Sequence, residues 1–203
     1  MNKIICLWSC PRNISTAIMY SFAQREDTLV FDEPLYAHYL KVSNANHPAR
    51  TKILNRLNTN GNEVVEKVIL QKSNKLLFHK LMTHFLIDIN TNFLSLVDNV
   101  ILIRNPKEII NSYNQVIANP DIKDIGIQQQ YQLYLDLSKR EGLSPIVIDS
   151  KYLLQNPKLI LRKLCHLLKI PFVDNMLKWK KGGIKEDGIW AKYWYKNLHD
   201  TTG

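Results

Sequence analysis

The sequence predicts one α/β domain over residues 1–203, built as an open parallel sheet with helices on both faces. Three observations predict it. Short apolar runs alternate with stretches of helical period along most of the chain. The apolar runs are continuous, as strands buried on both faces require. No linker rich in Gly, Ser or Pro and no internal repeat divides the 203 residues, of which 45% are hydrophobic and 22% charged. That is the balance of an ordinary folded domain with a substantial core.

Each element has its own signal. Lys3–Ser9 is an apolar run that reads as a buried strand, and Ser15–Arg25 follows as a helix with Ile18, Met19, Phe22 and Ala23 on one face. Thr28–Phe31 is the second strand; Asp32-Glu33-Pro34 ends it, and a helix begins at Leu35. Residues 48–72 are polar and helical. The third strand is Lys75–Lys80, the fourth Val100–Ile103 and the fifth Pro145–Ile148. Between and after them lie helices at Pro106–Ala118, Ile127–Glu141 and Pro157–Leu168. The tail from Trp179 breaks the alternation: Lys180-Lys181-Gly182-Gly183 reads as a basic turn leading to the aromatic cluster Trp190, Tyr193, Trp194 and Tyr195, docked on the core.

Composition narrows the function. With 27 Lys and Arg against 18 Asp and Glu, the net charge of +9 favours an anionic partner. No run approaches the eighteen apolar residues of a membrane span. The apolar stretch Ile4–Trp8 is too short for a secretory leader, so a cytoplasmic address is expected. The three cysteines, Cys6, Cys10 and Cys165, form no C-x-x-C and have no His cluster beside them, so they read as reduced thiols and no metal is indicated.

The densest information lies in Trp8-Ser9-Cys10-Pro11-Arg12-Asn13-Ile14-Ser15-Thr16-Ala17. A buried strand ends, a short loop carries Pro11 and Arg12, and Ser15-Thr16 opens a helix. The first turn of a helix presents unpaired N–H groups and the positive end of its dipole, a natural seat for phosphate or sulfate. Two hydroxyls and a guanidinium add donors; in the bland alternative Ser15 merely caps the helix and Arg12 is a surface charge. The loop has neither the glycines nor the lysine of G-x-x-x-x-G-K-[ST], which argues against an ATP or GTP hydrolase. After the fourth strand comes Arg104-Asn105-Pro106-Lys107-Glu108. Asn105 suits a helix cap, Pro106 the first turn, and Glu108 a reach back to the cap's N–H. Capping explains neither Arg104 nor Ser112 eight residues later.

Taken together these segments resemble the family of sulfotransferases that use 3′-phosphoadenosine 5′-phosphosulfate (PAPS), and the fold that this implies is the P-loop-NTPase-like sulfotransferase fold. Pro11, Arg12, Asn13, Ile14, Ser15, Thr16 and Ala17 resemble the family's 5′-phosphosulfate loop, although Ile14 stands where the family usually has Gly. Arg104 and Ser112 resemble its pair that binds the 3′-phosphate. Lys181 and Gly182 resemble its basic-Gly loop, with Lys in place of the usual leading Arg. Phe22–Ala37 looks like a less-studied branch of the family, and Tyr152–Leu168 like its late helix.

The resemblance implies transfer of a sulfuryl group from PAPS to a hydroxyl or amine, without a metal. Arg12 would stabilise charge on the bridging oxygen. The base would be Glu33, where carbohydrate-modifying and bacterial relatives place a glutamate, or His84, in a stretch resembling Lys-Thr-His; Lys80 would approach the transferring group. The acceptor would be a small molecule or carbohydrate, framed by Leu35–Gln71 and Ile117–Gly126, with no nucleic acid expected. Two competing readings stay open: a small-molecule kinase with a degenerate phosphate loop, and a non-catalytic module that holds a nucleotide or RNA.

Overall fold

The computed structural model describes residues 3–115, 122–140 and 142–203. Five parallel strands form one sheet: β1 (Ile4–Ser9), β2 (Thr28–Asp32), β3 (Leu76–Met82), β4 (Asp98–Ile103) and β5 (Ile146–Asp149), in the order β2-β3-β1-β4-β5. The period-2 geometry of a strand sorts its residues onto two faces. Ile4, Cys6 and Trp8 of β1 join Leu77, Leu81 and Ile101 in one core, while Ile5 and Leu7 join Leu76, Phe78, Val100 and Leu102 in the other. The continuous apolar runs are therefore a consequence of covering both sides of the sheet.

Helices supply the two covers. α1 (Ser15–Ala23) and α9 (Pro157–Leu167) close one face with Ile18, Met19, Phe22, Leu161, Leu164 and Cys165. The other is closed by α2 (Tyr36–Ser43), α3 (Arg50–Arg56), α4 (Gly61–Val64) and α7 (Ile127–Lys139), through residues such as Tyr39, Leu40, Ile53, Val64, Leu133 and Leu137. α5 (Pro106–Tyr113) follows β4, α6 (Ile122–Ile125) precedes α7, and α8 (Ser150–Gln155) follows β5. The short α10 (Ala191–Trp194) and α11 (Lys196–His199) form the tail.

The expected strands all form, with shifted ends. β3 starts and ends later than its apolar run predicts, so Lys80 is an interior strand residue paired in register with Leu7 and Asp32. The polar stretch 48–72 is helical but broken into α3, α4 and a π-helical turn at Val65–Ile69. The expected helix at Pro106–Ala118 ends at Tyr113, and residues 116–118 lie outside the described residues; so do half of the expected acceptor stretch 117–126 and Glu141. All three cysteines are free and buried. Burial pushes the Cys10 thiol up to about 12, so it is not a thiolate at neutral pH. Among the described residues no helix is long and apolar enough to cross a membrane, and no His, Cys, Asp and Glu cluster could hold a metal.

Candidate active site

In an open parallel sheet, ligands bind at the carboxyl ends of the strands, where the strand order switches. Here β1 lies between β3 and β4, with Ser9 in register with Met82 and Leu102. The loops leaving these strands open onto a cavity of about 890 Å³, within the ~300–1,000 Å³ common for small-molecule sites. It is lined by Pro11–Ala17, Arg104 and Ser112, and also by Glu33, Lys80 and His84. The sequence scattered these groups over a hundred positions; the sheet gathers them.

The turn after β1 is tightly wound. Arg12 (φ 59°) and Ile14 (φ 54°) both sit in the left-handed region. For a β-branched residue this is a strained conformation, and it explains why glycine is the easier choice at position 14. Ile14 occupies the N-cap position of α1 and offers no side-chain hydrogen bond, so Ser15 is the first helical residue, not the cap. The strand's last turn is braced instead by Asn13, whose side-chain amide donates to the Leu102 carbonyl. Asn13 Oδ1 is buried with no partner among the described residues. A helix N-terminus without a side-chain cap, faced by a cavity, retains its capacity for an anion.

Arg12 and Arg104 meet at this turn. Arg104 Nη1 donates to the Arg12 carbonyl at 2.7 Å, while its Nε pairs with Glu108 at 2.8 Å. Glu108 therefore does not reach back to the cap as expected: a guanidinium four residues earlier is the stronger partner, and Asn105 caps the helix alone by accepting from Lys107 N–H. Arg12 Nε donates to Ser112 Oγ at 3.0 Å, and its Nη1 to the Trp194 carbonyl at 2.7 Å. Ser112 is thus held by Arg12, and both candidate anion motifs converge on one end of the cavity. Burial and the neighbouring Arg104 charge depress the Arg12 pKa, a sign that this corner carries excess positive charge.

The other end is a buried ionic cluster. Lys80 is wholly buried, and its Nζ lies 2.7 Å from both Asp32 Oδ1 and Glu33 Oε1 while also donating to the Tyr195 hydroxyl. Glu33 is aimed by its backbone: φ is 46°, unusual before a proline, and its N–H is held by the Lys80 carbonyl at 2.9 Å. Burial raises the Glu33 pKa against the opposing pull of Lys80. For Lys80, burial opposes the ammonium, but the two carboxylates together outweigh it and raise the pKa. His84 also lines the cavity. Burial and the nearby His47 push it down to about 3, and its Nδ1 has no partner among the described residues.

Aromatic side chains cover the ground between. Tyr36 stacks on Phe85 (5.2 Å, 6°), Tyr113 stacks on Trp194 (5.9 Å, 17°), and Tyr36 OH lies 2.9 Å from His47 Nδ1. All of these residues line the cavity. Trp190 and Tyr195 are buried and Trp194 is half-buried, so most of the aromatic tail is docked, while Tyr193 is exposed, contrary to the expected docking of all four. Lys181 and Gly182 are not brought into the lining: Lys181 pairs with Asp200 at 3.3 Å, and Gly182 N–H bonds to the His199 carbonyl.

Sequence reasoning missed the roles of Asp32 and Tyr195. Asp32 was visible only as part of a turn before Pro34. Tyr195 belonged to an aromatic cluster whose density was the one available signal, and 115 residues separate it from Lys80.

Comparison with known proteins places the chain in a family and its fold among known ones. A family model described as a sulfotransferase domain matches residues 2–203. Branched-chain-amino-acid aminotransferase-like proteins 1 and 2 of Arabidopsis thaliana are 42% and 38% identical over 205 residues, covering 99% of this chain. The chain spans only 36% of the length of either relative. Among solved structures, the sulfotransferase domain from the curacin biosynthetic pathway aligns with a TM-score of 0.63 at 19% identity, covering 99% of this chain and 87% of that one. A sulfotransferase from Alicyclobacillus acidocaldarius gives 0.59 at 11% identity, covering 89% and 87%. At such identities the likeness is one of fold, and the five-stranded parallel sheet is that fold. By its match along nearly its whole length, this chain belongs to the sulfotransferase domain family.

Proposed function

We propose that this protein transfers a sulfuryl group from PAPS to a hydroxyl or amine of a small-molecule acceptor. The observation that carries the reading is the convergence of the Arg12 turn, Arg104 and Ser112 on one cavity that also holds a buried carboxyl, Glu33. The family match supports the reaction class. Two arginines, a serine hydroxyl and the start of α1 make a donor set suited to a nucleotide carrying anionic groups on both the 3′ and the 5′ oxygens of its ribose.

In this reading Arg12 donates to the oxygen that bridges phosphorus and sulfur, which gains charge as the sulfur–oxygen bond breaks. Arg104 and Ser112 hold the 3′-phosphate. Glu33 accepts the proton that the acceptor loses as its new bond to sulfur forms, leaving adenosine 3′,5′-bisphosphate as the other product. A raised pKa suits Glu33 to that task more than one near 3 suits His84, because base strength falls with pKa. The acceptor would lie against the rings of Tyr36, Phe85, Tyr113 and Trp194, an uncharged wall. This lining favours a ring-bearing neutral acceptor over a highly charged carbohydrate.

Thermal unfolding with added nucleotides tests the reading. Adenosine 3′,5′-bisphosphate at a hundredfold excess over its Kd should add ~2.7 kcal/mol of stability, with AMP and ATP adding much less. Equal stabilisation by ATP would remove the proposal. Incubation with sulfur-labelled PAPS and a cell extract would then identify the acceptor by the label it acquires.

A further inference from the structure

The ionic cluster contains more machinery than a base requires. Lys80 has three N–H donors, and all three are committed: to Asp32, to Glu33 and to the Tyr195 hydroxyl. The Tyr195 hydroxyl is equally saturated. It accepts from Lys80 and from Trp190 Nε1 (3.0 Å), and its own proton faces Asp32, whose oxygens lie at 2.8 and 2.9 Å, with Glu33 Oε1 farther off at 3.5 Å. Asp32 Oδ2 takes a further bond from the Gly188 N–H at 2.9 Å. Position 188 must be bare, because a Cβ there would fall 2.1 Å from the Trp190 ring. The tail from Gly188 to Tyr195 thus closes a circuit with β2 and β3.

We propose that Tyr195 is a positioning residue, whose hydroxyl shares Lys80 and Asp32 so that the ammonium keeps one N–H on Glu33. The proposal rests on the assignment of Glu33 as the base, and it changes the expected role of Lys80. An ammonium with every proton engaged has none to offer an incoming sulfuryl group; it acts on the reaction through Glu33. Asp32 and Glu33 compete for the same cation. Tyr195 satisfies part of Asp32, which leaves more of Lys80 to Glu33. The other groups that bear on the cluster are Tyr36 and Tyr113 beside Glu33, the Tyr195 hydroxyl itself 3.5 Å from Glu33, Tyr20 beside Asp32, and Arg12 and His199 beside Tyr195.

The test reads the Glu33 carboxyl itself, in ligand-free protein, so it does not depend on transfer activity. Glutamate labelled with 13C at Cδ is titrated by NMR, with Glu33 assigned by its loss in Glu33→Gln. In Tyr195→Phe, Asp32 loses a donor and draws more of Lys80. The Glu33 midpoint should then rise by ~0.5–1 pH unit, the contribution of about one hydrogen bond. In Asp32→Asn the competitor loses its charge and the midpoint should fall. Opposite signs distinguish positioning from general loosening, which would move both variants alike. An unmoved midpoint in Tyr195→Phe, or shifts of the same sign, would overturn the proposal. If Tyr195→Phe does not fold, Trp190→Phe decides: it removes the Nε1 donor to the Tyr195 hydroxyl and weakens that hydroxyl as a donor to Asp32, so a raised Glu33 midpoint supports the circuit and an unmoved or lowered one overturns it. Failure of adenosine 3′,5′-bisphosphate to stabilise the parent would instead remove the sulfotransfer reading and leave these titrations standing.

Discussion

Replacing Lys80 by Met keeps the unbranched side chain as far as Cε and deletes the ammonium, which isolates the worth of the buried cluster. In the native protein one ammonium sits 2.7 Å from each of two carboxylates, in a site from which Lys80 is wholly excluded from solvent. Without it Asp32 and Glu33 face each other uncompensated. Breaking a buried pair by removing one partner costs ~3–5 kcal/mol. For a domain of this size each kcal/mol is worth ~2–4 °C, so the fall in Tm should be ~6–20 °C. Urea unfolding of Lys80→Met at pH 8 is the assay. The deficit should shrink toward pH 5, because a carboxyl whose folded pKa is raised contributes stability below its ordinary range and loses it as pH rises through the folded value. Adding Glu33→Gln to Lys80→Met should recover much of the loss at pH 8. A deficit below ~1 kcal/mol, the range of an exposed pair, or one independent of pH, would refute the assignment of a buried, mutually dependent cluster.

Other predictions follow from the same geometry. Arg104→Ala should abolish the preference for adenosine 3′,5′-bisphosphate over AMP in thermal shift; an unchanged preference would remove that residue from the 3′-phosphate site. Arg12→Ala should lower kcat ~100- to 1,000-fold if its guanidinium meets the bridging oxygen, as read by transfer from labelled PAPS. Ile14→Gly should cost less than ~1 kcal/mol in urea unfolding, although core Ile truncations cost ~2–5 kcal/mol, because it relieves a left-handed β-branched residue. His79 and His84 are held neutral by burial, both pushed down to about 3 from 6.5. Their stability contribution is whole above pH 6.5 and is lost below it, at ~1.4 kcal/mol per pH unit for each. His79→Leu should flatten the acid limb of the stability curve, and a curve parallel to the parent's would count against that origin.

How much of this was legible beforehand differs by residue. The strands declared themselves through continuous apolar runs, since burial on two faces leaves a one-dimensional trace. Arg12 and Arg104 line one cavity because each closely follows a strand end, and Ser112 reaches it from α5. At α1 the bland alternative of a Ser15 cap does not hold, because Ile14 takes the left-handed cap position in front of Ser15. Glu108 was assigned to the helix cap because spacing alone does not weigh an adjacent guanidinium. Lys180-Lys181-Gly182 offered charge and flexibility, yet Asp200 and the His199 carbonyl hold it outside the cavity lining.

The order of amino acids by itself determined the parallel sheet, the turn after β1 and the loops that carry Arg104 and Glu33, all of which depend on periodicity and near neighbours. Only the folded arrangement decided that Lys80 is spent on Asp32, Glu33 and Tyr195, that Arg12 is tied to Ser112 and Trp194, and that the aromatic tail walls the cavity. Those outcomes turn on which charges share a dry interior. Hydrogen-bond saturation there is settled by groups more than a hundred residues apart, and no local pattern encodes it.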